Sequence, residues 1–115
     1  MKPTIQYPDF EKLDLRVGKV IAATAPEWSN KLIQQTVDFG SEIGEKTILS
    51  GIRKWYAPED LIGKNFPYIV NLAERKMGES ISQGMMMMVV SEADGETKVT
   101  LIPVDESVAP GTTLG

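Results

Sequence analysis

A small all-β barrel or sandwich is the fold class that this sequence predicts. Three observations lead there. Several short runs alternate apolar and polar residues at period two. Clusters of Gly, Pro, Asn, Asp and Ser separate those runs. No segment has the length and apolar spacing of a long helix.

The elements follow in order. In "LDLRVGKVIAATA" (13–25), Leu13, Leu15 and Val17 fall on one side and Asp14, Arg16 and Gly18 on the other, a strand with one wet face. Gly18 stands mid-run, where a bulge or tight bend is expected. "PEWSN" (26–30) reads as a loop, "KLIQQTVDFG" (31–40) as a second strand and "EKTILSGI" (45–52) as a third, joined by a hairpin loop at "SEIGE". "APEDLIGK" (57–64) predicts one short helical turn, with Pro58 early, acids in the first turn and Gly63 closing it. "NFPYIVNLA" (65–73) is a fourth strand. "MMMMVVSE" (85–92) and "TKVTLIPV" (97–104) form a hairpin about "ADGE", whose Asp-Gly is a strong turn signal. "ESVAPGTTLG" is an extended tail. The order and count suit a five-stranded Greek-key barrel of the OB type, whose helix lies between strands three and four.

Composition narrows the function. The 115 residues suit one domain, 1–115, with 42% hydrophobic content to build one core. No apolar run approaches the ~20 residues of a membrane span, and the N-terminus has no apolar signal region. The chain has no Cys and no His. That fits a cytoplasmic protein, predicts no cofactor, and excludes most structural zinc sites and the commonest general base. No nucleophile or nucleotide-loop motif appears, so no catalytic residues are expected. The net charge of −4 is unevenly spread. Residues 1–91 carry 11 Lys+Arg and 11 Asp+Glu, whereas residues 92–115 carry one Lys and five acids. The larger part can therefore still present a basic face.

Five segments carry a resemblance: "DFEKLDLRVGKV" (9–20), "NKL" (30–32), "SGIRKWYAPEDLIGK" (50–64), "NLAERKM" with "SQGM" (71–77, 82–85), and "VAPGT" (108–112). Together they resemble the tRNA-binding OB-fold family. That family comprises the C-terminal domain or β subunit of methionyl-tRNA synthetases, free-standing tRNA-binding proteins and a small export-related chaperone. Two positions depart from its pattern: Asn30 replaces the usual Asp before Lys-Leu, and Glu74 replaces Pro before Arg-Lys.

The candidate RNA-binding residues are Lys31, Arg53, Lys54, Asn71, Arg75, Lys76, Ser82 and Met85. Arg53-Lys54 and Arg75-Lys76 are adjacent cation pairs, either solvated charges at strand ends or phosphate grips; Lys31 is a third such point. Asn71 can bond a base edge or a neighbouring backbone. Trp55 and Tyr56 either stack on bases or anchor their loop, and Trp28 reads as peripheral. Of the methionines, Met86 to Met88 read as packing. The resemblance implies that Ser82 and Met85 take part in tRNA recognition, with Gly84 permitting close approach.

The resemblance further implies a non-catalytic homodimer that holds tRNA by its shape, with the tail and residues 5–10 building the two-fold interface. A separate methionyl-tRNA synthetase catalytic chain is a possible partner. The rival expectation is the chaperone branch, binding unfolded peptides through a methionine-rich surface.

Overall fold

The computed structural model describes residues 1–115. Five antiparallel strands form one sheet in the order β3-β2-β1-β4-β7: β1 (Leu15–Thr24), β2 (Ile33–Asp38), β3 (Glu45–Ser50), β4 (Asn65–Ile69) and β7 (Met85–Met86). The strand content, the order and the turn between β3 and β4 are those expected of the OB-type barrel. β1 is long enough to serve two neighbours. Its first half pairs with β4 from Leu15↔Ile69 to Lys19↔Asn65, and its second half with β2 from Lys19↔Asp38 to Thr24↔Gln34. A bulge between Val20 and Ala22 turns the strand from one neighbour to the other. The bend expected at Gly18 therefore lies further along. Gly18 is needed for packing instead: a Cβ there would lie 2.6 Å from the Phe39 ring and 3.0 Å from that of Tyr68.

β2 alternates in burial, with Ile33, Gln35 and Val37 buried and the residues between them half-buried. Ile33 and Val37 join Val20, Phe39, Ile48, Ile52, Leu61, Phe66, Tyr68, Val70, Met86, Val99 and Leu101 in the core. Leu61 comes from the turn after β3, which is a 3-10 helix over Pro58–Asp60, with the Ala57 amide donating to Asp60 Oδ2 at 2.8 Å. Inside the core lies one polar chain. Tyr68 Oη donates to Gln35 Oε1 (2.7 Å), and Gln35 Nε2 donates to Ser50 Oγ (2.9 Å). Burial pushes the Tyr68 phenol above its ordinary range, so it stays a donor.

Several expectations need correction. The anticipated single short helix is accompanied by two one-turn helices, α1 (Tyr7–Glu11) and α2 (Gly40–Ile43), the latter inside the loop read as a plain hairpin. The strand read over 65–73 stops at Ile69. A small hairpin, β5 (Arg75–Met77) with β6 (Ser80–Ser82), was not foreseen. The strand read over 85–92 breaks at Met87: β7 joins the barrel, while β8 (Met88–Ala93) pairs only with β9 (Glu96–Leu101) as a separate ribbon. Its Asp94-Gly95 turn has both residues at positive φ, as that dipeptide allows.

The tail also differs from expectation. It was read as surplus to the barrel, yet it runs back along β1 of its own chain. The Val17 amide donates to Thr112 O (2.8 Å), the Gly111 amide to Val17 O (2.7 Å) and the Leu114 amide to Leu15 O (2.9 Å). Arg16, expected on a wet face, is largely covered: its side chain is 15% exposed, donating to Asp14, to Glu42 and to Gly111 O. The Asp14 hydrogen bond holds the guanidinium above its ordinary pKa.

Candidate nucleic-acid interface

The five-stranded sheet does not close by strand pairing between β3 and β7. It closes through the end of β6 and the residues that follow it. Ser82 Oγ accepts the Leu49 amide (3.0 Å) and donates to Gly84 O (3.0 Å). The Gln83 amide donates to Thr47 O (2.8 Å), and the Thr47 amide donates back to Gln83 Oε1 (2.8 Å). A Cβ on Gly84 would lie 2.7 Å from Ile69 O. The Ser-Gln-Gly sequence is thus the seam of the barrel. Ser82 is only 4% exposed and both of its hydroxyl's bonds are internal, so the hydroxyl is already satisfied within the barrel.

What the seam positions is a groove of about 620 Å³, lined by Leu49, Leu72, Arg75, Met77 and the methionine run. Met85 lies in its wall, 46% exposed, while Met86 points into the core at 2%. The two neighbours on one short strand face opposite ways, as period two requires. Met87 and Met88 are half-buried and also line the groove, so the packing expected of them is partial.

A second hollow of about 460 Å³ opens beside it, and Gly51 belongs to both. Its other lining residues are Asn30, Lys31, Lys54 and Trp55. Lys54 Nζ sits 5.6 Å from the Trp55 ring centre, a cation–aromatic contact that leaves the ammonium in water. The ion pairs of the chain use only Lys12 and Arg16. Lys31, Lys54 and Arg75 therefore face this double hollow without a carboxylate partner, and an anion can reach each of them.

The other candidates are placed differently. Arg53 Nη1 donates to Pro26 O (3.3 Å) and to Ser29 O, and the Arg53 amide donates to Lys31 O (3.1 Å). It braces the 26–31 loop. Asn71 Oδ1 accepts the Asp14 amide (2.8 Å) and its Nδ2 donates to Lys12 O (2.7 Å), so it pins the chain's start. Lys76 pairs with Ile81 on β6 and alternates away from the groove that takes Arg75 and Met77. Tyr56 Oη accepts the Leu101 amide (3.1 Å), which settles its loop onto β9. Trp28, read as peripheral, is half-buried against Gly78 at the β5–β6 turn.

Comparison with known proteins adds the family. The profile described as "Putative tRNA binding domain" matches residues 15–113. The chain belongs to the tRNA-binding domain family. Among relatives, the methionine–tRNA ligase of Chromobacterium violaceum is 46% identical over 113 residues, which is 97% of this chain and 16% of that protein. The enzyme of the same name from Ralstonia nicotianae is 48% identical over 94 residues, 82% of this chain and 13% of that protein. This tRNA-binding domain therefore spans less than a fifth of these ligases. Two solved structures share its fold over nearly their whole length. A MetRS-related protein from Pyrococcus horikoshii has a TM-score of 0.87 and 37% identity, covering 99% of this chain and 100% of that one. The chaperone CsaA of Bacillus anthracis str. Ames has a TM-score of 0.84 and 31% identity, covering 98% and 100%. No helix of the tRNA-binding domain is long and apolar enough to cross a membrane.

Proposed function

We propose that this domain is a non-catalytic, structure-specific tRNA-binding module of 115 residues that acts as a homodimer in the cytoplasm. The observation that carries the reading is the double hollow, with Lys31, Lys54 and Arg75 unpaired around it and Met85 in its wall. Cations that grip phosphates supply affinity without reading sequence, and thioether and indole surfaces give a base or ribose an apolar face. Arg75 and Lys31 make the direct contacts, with Lys54 beside them. Lys76 contributes to the field from the outer face of its hairpin. Arg53, Asn71 and Ser82 hold the walls in place.

Two domains related by a two-fold axis would present two such hollows to one tRNA. Ile5, Tyr7, Val89 and Ile102 are exposed apolar side chains that a partner copy would cover. A methionyl-tRNA synthetase catalytic chain, separate or fused, would gain local tRNA concentration from the module.

The methionine-rich lining of the groove favours a second reading, a chaperone that holds unfolded peptides there. One experiment separates the two. Purified protein is titrated with bulk tRNA in a gel shift, with an unfolded peptide as competitor, at low and physiological salt. tRNA retention that weakens steeply with salt and resists the peptide supports the first reading. Tight peptide capture with no tRNA shift replaces it by the second. Light scattering on a size-exclusion column checks the dimer, and a particle of 12.7 kDa would exclude it.

A further inference from the structure

The two walls of the proposed site come from separate parts of the chain. One is the loop before β2, which carries Lys31. The other is the β5–β6 hairpin, which carries Arg75. The loop is well held from below, by Arg53 on two of its carbonyls and by Ser29 Oγ, which accepts the Lys31 and Leu32 amides at 3.2 Å. The hairpin has much less support. Its strands are three residues each, too short to be stable alone, and five of its eight residues are exposed. Ser82 ties it to the barrel at one end only.

At the other end, its turn meets Trp28. Gly78 has φ +63, and a Cβ built on it would lie 2.5 Å from Trp28 Cε3 and 3.1 Å from Cη2. The backbone of the turn rests directly on the indole, at a distance that only glycine permits. We propose that Trp28 and Gly78 form a clasp between the two walls, which makes Trp28 a positioning residue for the RNA-binding face. This rests on the tRNA reading above. The clasp fixes Arg75 relative to Lys31 before a ligand arrives. Without it, the hairpin must be ordered at the moment of binding, and that cost is taken from the affinity. An indole suits the task because it offers a large rigid surface at the cost of two torsions.

The test uses the full chain and three variants, Trp28→Ala, Trp28→Phe and Gly78→Ala. Hydrogen exchange followed by mass spectrometry reads the amides of 75–82 and, as a control, those of β2. tRNA affinity is measured across a salt series. Trp28→Ala and Gly78→Ala should speed exchange in 75–82 by about tenfold or more while β2 is unchanged. They should weaken tRNA binding by about three- to tenfold with the salt slope preserved, because every cation is retained. Trp28→Phe should recover most of both effects. Weaker binding with unchanged exchange would mean that Trp28 touches the RNA itself, and would overturn the clasp. Faster exchange with unchanged affinity would overturn the positioning role. If Trp28→Ala fails to fold, Gly78→Ala and Trp28→Phe decide by the same two readouts. A wild-type protein that binds no tRNA would remove the underlying reading before any variant is compared.

Discussion

Ser82 Oγ receives the amide proton of Leu49 from a strand 33 residues earlier, and this bond closes the barrel between β3 and the hairpin. Ser82→Ala leaves that amide buried without a partner, which costs about 1–3 kcal/mol. The variant should melt several degrees lower. Its folded fraction should bind tRNA more weakly only in so far as the groove wall shifts. A melting temperature equal to that of wild type would show that the seam is held by Gln83 alone.

Met85 and Met86 are adjacent and should behave oppositely. Met86→Ala empties a core position and should cost about 2–5 kcal/mol in denaturant unfolding. Met85→Ala should cost less than about 1 kcal/mol, as a partly exposed site, while weakening tRNA binding. Equal stability losses would contradict the assignment of the two faces.

Arg75→Glu should abolish or strongly reduce tRNA binding, with the circular dichroism spectrum unchanged. Arg75→Ala should flatten the log–log salt slope by up to ~1. Lys76→Ala, on the outer face of the hairpin, should weaken binding less than Arg75→Ala. Filter binding over roughly 50–200 mM salt compares the pair. A larger loss at Lys76 would move the proposed site to the other face of the hairpin.

Tyr68 should make the fold sensitive to alkali. Burial raises the phenol's pKa in the native state, so the native protein keeps a proton that the unfolded chain releases above about pH 10. The resulting stability is complete below the unfolded value and is lost as pH rises beyond it. Tyr68→Phe should cost about 1–3 kcal/mol near neutrality, since Gln35 Oε1 loses its donor. Its stability should then fall less steeply than that of wild type between about pH 9 and 11. Parallel profiles would show that Tyr68 is not the group responsible.

Deleting residues 110–115 removes the tail's hydrogen bonds to Leu15 and Val17 and takes the Gly111 carbonyl from Arg16. Because these contacts lie within one chain, the loss of stability should be independent of protein concentration. A loss that disappears at high concentration would assign the tail to the contact between copies instead.

The barrel was legible where a residue's own neighbours define it. Leu15 and Val17 announce β1 by period two, and Asp94-Gly95 announces its turn. The site was legible only in part. Arg75, Lys31 and Met85 were singled out, and they line adjoining hollows. Ser82, Asn71 and Arg53 were also singled out, with a neighbouring backbone named as one partner open to Asn71. Their hydrogen bonds reach residues 33, 57 and 24 positions away, and no local pattern encodes such a distance. The β5–β6 hairpin escaped because "RKM" and "SIS" are too short to show a period. Trp28 was read as peripheral for a related reason. Its significance comes from Gly78, 50 positions later, and one signal remained unread: the isolated glycine at the centre of "RKMGESI" (75–81).

The polar chain through Gln35, Tyr68 and Ser50 has a bearing on how mispaired forms are rejected. β2 contains two consecutive glutamines, so a slip of one residue would exchange Gln34 for Gln35 with no change in local composition. The slip would turn Ile33 and Val37 toward water. A slip the other way would seat Thr36 where Gln35 lies, leaving the phenol and the hydroxyl without the carboxamide that joins them. The hairpin of β2 and β3 offers Gln35 only the Ser50 hydroxyl. The second partner arrives with β4, from the far side of the helical turn. Both slips are opposed by Ile33 and Val37, and the one that seats Thr36 also leaves the Tyr68 phenol without its acceptor when β4 docks.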